Sequence, residues 1–192
     1  MSLARCRSVV LLGVDARRVD VEVHLGGLPG FSLVGLPDTS VSEARDRVRA
    51  AVLSSGESWP QQRITANLSP ASLPKHGTHF DLALALAVLA AAGSIPLGPT
   101  DDLVVMGELS LDGRVRPVPG VLPAVVAAAA DGVRRFVVPA DNLSEARVVD
   151  DVAVLGASCL RSLVTVLRGG TPVEEHPTAA QPRPVRGHGG LL

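Results

Sequence analysis

Residues 74–81, PKHGTHFD, gather the groups most able to do chemistry: Lys75, the chain's single lysine, followed by His76, His79 and Asp81. Two imidazoles and a carboxylate could ligate a metal, but this spacing matches no strong zinc pattern, and no further Cys/His pair lies nearby in sequence. An amine beside Ser69 or Ser72 could act as the base of a Ser–Lys hydrolase, provided that it reaches the hydroxyl in space. The plainer reading is a loop whose polar groups cap the following helix and contact a neighbour.

A second stretch, GLPGFSLVGLPDTSVSEARDRVRAAVLSSG at 27–56, sets glycines just ahead of a helix, where proteins often hold phosphates. A P-loop needs G-x-x-x-x-G-K-[ST], because the lysine reaches the outer phosphates and the hydroxyl holds magnesium. No Gly-Lys pair occurs anywhere in the chain. Asp38 would repel a phosphate but suits the helix dipole as a cap, so the stretch reads as a structural turn. Within the helix, Glu43 precedes Arg47 by four residues, the favourable order for an ion pair, while Arg45 and Arg49 share a neighbouring row. This face is either a solvated surface or a basic ridge contacting a partner domain or nucleic-acid phosphates. Aromatic stacking platforms are not expected close to it, which argues against single-strand binding there. Phe31 and Trp59 read as core or rim packing.

These groups must be held by an ordered frame. The 192 residues are 46% hydrophobic, enough for one domain with a core, and the net charge of −1 gives no general attraction to nucleic acid or membranes. Cys6 and Cys159 lack the C-x-x-C spacing of a metal or redox site and read as ordinary thiols of a reducing cytoplasm. The N-terminus lacks the pattern of a secretory signal, and the run 82–93 is well short of the roughly 20 residues that span a bilayer. The expected location is cytoplasmic.

Strands are expected at 5–14 and 18–25, joined by a turn at Asp15-Ala16-Arg17, then at 31–36 and 63–70. One helix should run from Asp38 or Ser40 to about Ser55, with Val41, Ala44, Val48 and Val52 as its buried stripe. A nearly all-apolar helix follows at 80–92. Residues 101–120 read as one β-hairpin turning at Asp112-Gly113. Helix 121–130, strand 134–140, a short capped helix from about Asn142, strand 151–157 and helix 159–168 complete an α/β domain of residues 1–168. Residues 169–192, rich in Pro, Gly and charge, read as a disordered linker or tail.

In order, the segments GLPGFSLVGLPD, EARDRVRAA, RITANLSPASLPKHGTHFDLALALAVLAA, GELSLDGRVRPVPGVLPA and VVPADN occur along residues 3–168. Together they resemble the N-terminal, Lon protease-like domain of the YifB/ComM-type magnesium-chelatase-like AAA+ ATPases. The resemblance implies an α/β (α+β) fold with a mixed sheet and packed helices, shared with Lon protease catalytic domains and with domain 2 of ribosomal protein S5. Lon-type peptidases carry a serine in P-K-D-G-P-S-A-G and a lysine after a P-x-G-G turn. His79 stands at the serine position, and Leu122 and Ala124 at the candidate lysine positions, so the resemblance implies a peptidase scaffold without its dyad. In the family a Pro-rich linker leads to an AAA+ module that binds ATP and Mg2+ through Walker motifs. That module is absent from this chain, so the chain is expected to hold no cofactor of its own. The expected partners are an AAA+ motor domain and neighbours in a hexameric ring that needs the motor; the resemblance also admits DNA, since some members migrate DNA branches during natural transformation. The expected contact residues are Arg45, Arg47 and Arg49 on the ridge and Lys75, His76 and His79 in the loop.

Overall fold

A computed structural model describes residues 2–13, 15–35, 37–96 and 103–171. Seven strands form one mixed sheet in the order β3-β4-β2-β1-β5-β8-β9, namely β1 Ser2–Leu12, β2 Asp15–Gly26, β3 Gly30–Val34, β4 Arg63–Ser69, β5 Leu103–Val105, β8 Arg135–Pro139 and β9 Ala153–Ala157. A separate two-stranded hairpin joins β6 Glu108–Leu109 to β7 Val115–Arg116. One half of the sheet is an antiparallel meander: β1 pairs β2 from Ser2↔Leu25 to Leu12↔Asp15, and β2 pairs β4. The other half, β1-β5-β8-β9, is parallel.

The side-chain period of two sorts residues between two cores. Val19, Val21, Val23 and Leu25 of β2 alternate with Asp20, Glu22 and His24, and all four are buried against α3 Asp81–Ala91 and α2 Ala44–Ser54. On the opposite face Val9, Val104, Phe136 and Val138 pack on α4 Val121–Ala130 and α5 Leu143–Ala146. α3 is buried on nearly all sides, as its run of Ala and Leu demands, and each of its leucines contributes roughly 1.5–3 kcal/mol by leaving water. α6 Leu160–Leu167 buries Leu160, Leu163 and Val164 beside it in the first core.

Several expectations move, β1 among them, which runs Ser2–Leu12 rather than 5–14. β2 begins at Asp15 rather than after Arg17, because Ala16 packs against the second core and keeps the strand paired. The helix expected from Asp38 to Ser55 divides at Glu43 into α1 Thr39–Ser42 and α2, with Glu43 at ψ −12 tightening one turn. Residues 101–120 are not one hairpin. The wholly apolar Leu103-Val104-Val105 enters the sheet between β1 and β8, covered on both faces, and only 108–116 turn back on themselves at Asp112-Gly113. The expected tail beyond Thr171 lies outside the described residues. Among the described residues no helix is long and apolar enough to cross a membrane.

Candidate functional site

Asp38 ties the two stretches singled out in the sequence. It is the N-cap of α1, and its side chain accepts from Val41 N at 2.8 Å. Its other carboxylate oxygen accepts from Gly77 N at 3.2 Å and lies 3.5 Å from His76 Nδ1. Its own N–H donates to the Lys75 carbonyl at 3.0 Å. The α1 N-terminus is therefore filled by a carboxylate. The preceding turn also lies flat on β4: a Cβ at Gly35, where φ is +104°, would sit 2.1 Å from the Leu68 carbonyl oxygen. Neither feature suits a phosphate cradle.

The loop residues take separate partners. Lys75 is fully buried, and its Nζ donates to the Pro70 carbonyl rather than to Ser69 or Ser72. Burial lowers its pKa from the usual lysine value. His76 is exposed. His79 is largely enclosed; its Nε2–H donates to the Val9 carbonyl at 2.8 Å, and burial pushes its pKa below the ordinary imidazole value. Asp81 is buried at the start of α3 and takes two donors from Arg47, at 2.7 and 3.0 Å. Its carboxyl is nevertheless raised to about 6, because burial outweighs the arginine. His76, His79 and Asp81 thus do not converge, and among the described residues no group of three or more His, Cys, Asp or Glu side chains could hold a metal ion.

The arginine ridge divides in the same way. Arg47 turns inward, donating also to the Ser40 carbonyl at 2.7 Å, with Glu43 at 3.7 Å. Arg45 and Arg49 point outward. Contrary to expectation, an aromatic pair begins beside Arg45. Arg45 Cζ sits 5.9 Å from the centroid of Phe31, and Phe31 stacks on Trp59 with centroids 6.4 Å apart at 25°. The sequence hid this neighbourhood because the rings come from β3 and from the segment after α2.

His79 opens on a cleft of about 300 Å³ between the end of β1, the loop Gly77–His79 and the start of α4. Leu11, Met106, Val118 and Ala124 supply apolar walls. Thr78 and Gly120 also line it. The Thr78 hydroxyl donates to Glu108, from the hairpin. At Gly120 φ is +80°, and a Cβ would meet Leu11 Cδ1 at 2.2 Å, so the α4 N-terminus approaches β1 closely. Asn142 braces this wall: it accepts from Val118 N at 3.0 Å and donates to Val118 O at 3.1 Å. The sequence marked Asn142 as a helix start, but its side chain does not cap α5. The cleft therefore brings together His79 and Ala124, the positions where the Lon resemblance places a serine and one candidate for the lysine.

The family model for subunit ChlI of Mg-chelatase matches residues 19–142. The chain belongs to this magnesium-chelatase-like family. It is 41% identical over 185 residues to YifB of Escherichia coli, covering 95% of this chain and 36% of that protein. It is 42% identical over 170 residues to the competence protein ComM of Haemophilus influenzae, covering 88% and 33% respectively. A weaker similarity, 27% over 110 residues, joins 56% of the chain to 19% of Lon protease 2 of Bacillus subtilis. It agrees with the mixed sheet and packed helices described above. The chain spans about a third of the length of YifB and ComM.

Proposed function

We propose that this domain is a non-catalytic accessory module of a magnesium-chelatase-like AAA+ ATPase, acting by contact with the motor, with a ring neighbour or with DNA. One observation carries the reading. The cleft is formed, yet an imidazole committed to the Val9 carbonyl stands at the serine position, and the methyl of Ala124 at one of the two candidate lysine positions, Leu122 holding the other. Lys75, the remaining amine, is buried and bonded to Pro70. Among the described residues no Ser–Lys pair is assembled there, and the Thr78 hydroxyl is bonded to Glu108, whereas Arg45 and Arg49 remain outward. ATP and Mg2+ belong, on this reading, to the motor. The ComM name ties that relative to competence, and DNA processing is the family role we carry to this chain as part of the proposal.

The test is hydrolysis of casein and of a fluorogenic peptide by the purified chain, together with co-elution with an AAA+ module of the same family. No cleavage and a co-eluting complex are expected. Cleavage abolished by Lys75→Ala would show a relocated Ser–Lys hydrolase and overturn the reading.

A further inference from the structure

We infer that the outer row of α2, Arg45 and Arg49, together with the Phe31–Trp59 ring pair beside it, is a contact surface for single-stranded nucleic acid. The inference rests on the reading of this chain as a contact module and names one partner for it.

Both arginines are exposed, and as i and i+4 residues they stand one above the other on the helix. Arg49 makes no hydrogen bond or ion pair among the described residues, and the ion pair of Arg45 is a long one, 4.0 Å to the exposed Asp46. The other carboxylate on this part of α2's surface, Glu43, is turned to Arg47. Two guanidinium groups are thus left to an outside anion, and a nucleic-acid backbone supplies closely spaced anions.

The chain has 3 Phe and 1 Trp, and the fold sets Phe31 beside Arg45 and stacks Trp59 on Phe31. Both rings are half-buried and packed on the main core, so the part of each left to solvent is held in a fixed position. Arg45 lies over Phe31 and extends the platform with a second planar cation. Flat π surfaces next to arginines accept bases that are free to stack, as they are in a single strand and are not in a duplex. A protein partner would more typically seek a protruding aromatic anchor than faces half sunk in the core.

The experiment titrates the chain into a fluorescein-labelled oligothymidylate of about 20 nucleotides, following anisotropy and the emission of Trp59, at salt from about 20 to 200 mM. Binding at low salt with quenched Trp59 emission is expected, and a duplex of equal length should bind more weakly. Arg45→Ala/Arg49→Ala should flatten the slope of log affinity against log salt by about 1.4, at roughly 0.7 per phosphate contact. Phe31→Leu should keep the slope and weaken binding about tenfold. Arg134→Ala, on an exposed residue outside this surface, should change nothing. Circular dichroism of each variant checks that it folds. The inference is overturned by no binding at the lowest salt, by unchanged Trp59 emission, by equal duplex affinity, or by a slope that survives loss of both arginines. Those results leave the non-catalytic reading standing, while peptide cleavage would sink that reading without touching this surface.

Discussion

Arg47 and Asp81 form a two-pronged ion pair between α2 and the first residue of α3, at 2.7 and 3.0 Å, with the carboxylate buried and the arginine side chain mostly covered. Leu109 N donates to the same carboxylate at 3.3 Å, so the pair also fastens the hairpin β6–β7. Three elements that surround the loop 75–79 are therefore tied at one charge. The pair holds the site together and contributes no exposed cation to it.

Loss of the guanidinium should cost stability in a pH-dependent way. Asp81 binds its proton more tightly folded, at about 6, than at its ordinary 3.8. Between those values the folded chain carries the extra proton, so stability falls as pH rises through that window. Arg47→Leu would push the folded value higher still, extending the fall above about 6. We expect a loss of about 3 kcal/mol near pH 8, where an unpaired carboxylate is buried, and at least about 1 kcal/mol less near pH 5. Urea unfolding of both proteins at the two pH values measures this. A larger loss at the acidic pH would refute the account.

Lys75 should be invisible to amine reagents in the folded chain. It is the single lysine and has no exposed surface, with Nζ bonded to Pro70. Acylation of native protein, read by intact mass, is expected to add one group at the N-terminal amine, and a second only in denaturant. Rapid double labelling under native conditions would contradict the burial. Lys75→Met, of similar volume, should change stability by no more than about 1.5 kcal/mol, since it removes a buried charge along with one hydrogen bond.

Periodicity read some of this frame well and failed where partners are distant in sequence. Val41, Ala44, Val48 and Val52 are all buried as their spacing required, and Asp38 caps as its type required. Leu103-Val104-Val105 carries no such signal, because three apolar residues show no period, and only their covered position between β1 and β8 makes them a central strand. Among the arginines, the four-residue spacing identified the Glu43–Arg47 pair at 3.7 Å. It could not show that Arg47's stronger partner, Asp81, lies 34 residues on. The same distance effect concealed Phe31 and Trp59 beside Arg45, and Met106 and Val118 around His79.

Two glycines test how tightly the cleft and the GLPD turn are built. Alanine at Gly35 would collide with the Leu68 carbonyl oxygen at 2.1 Å, a backbone atom that cannot move without disturbing β4. Alanine at Gly120 would meet Leu11 Cδ1 at 2.2 Å, the end of a side chain able to rotate into the cleft. Both also adopt positive φ, which costs alanine about 1 kcal/mol or more. Gly35→Ala is expected to lose about 3 kcal/mol or more, and Gly120→Ala about 1–2 kcal/mol. Equal losses in chemical denaturation would mean that the turn is not pressed on β4.

Asn142 gives the sharpest test of how the far wall of the cleft is held. Its amide satisfies both the N–H and the C=O of Val118, and it also donates to Glu145. Val118 is buried and leads directly into Pro119 and Gly120 at the cleft. Asn142→Ala leaves two buried backbone groups without partners, at about 1–3 kcal/mol each before relaxation or entering water reduces the cost. Global stability should fall by about 2–3 kcal/mol. Hydrogen exchange localises the effect: the Val118 amide should exchange far faster, out of proportion to the global loss. Amides of α3, which Asn142 does not touch, should speed up only as much as the global change requires. Uniform acceleration across both regions would mean that Asn142 supports the fold at large rather than this wall.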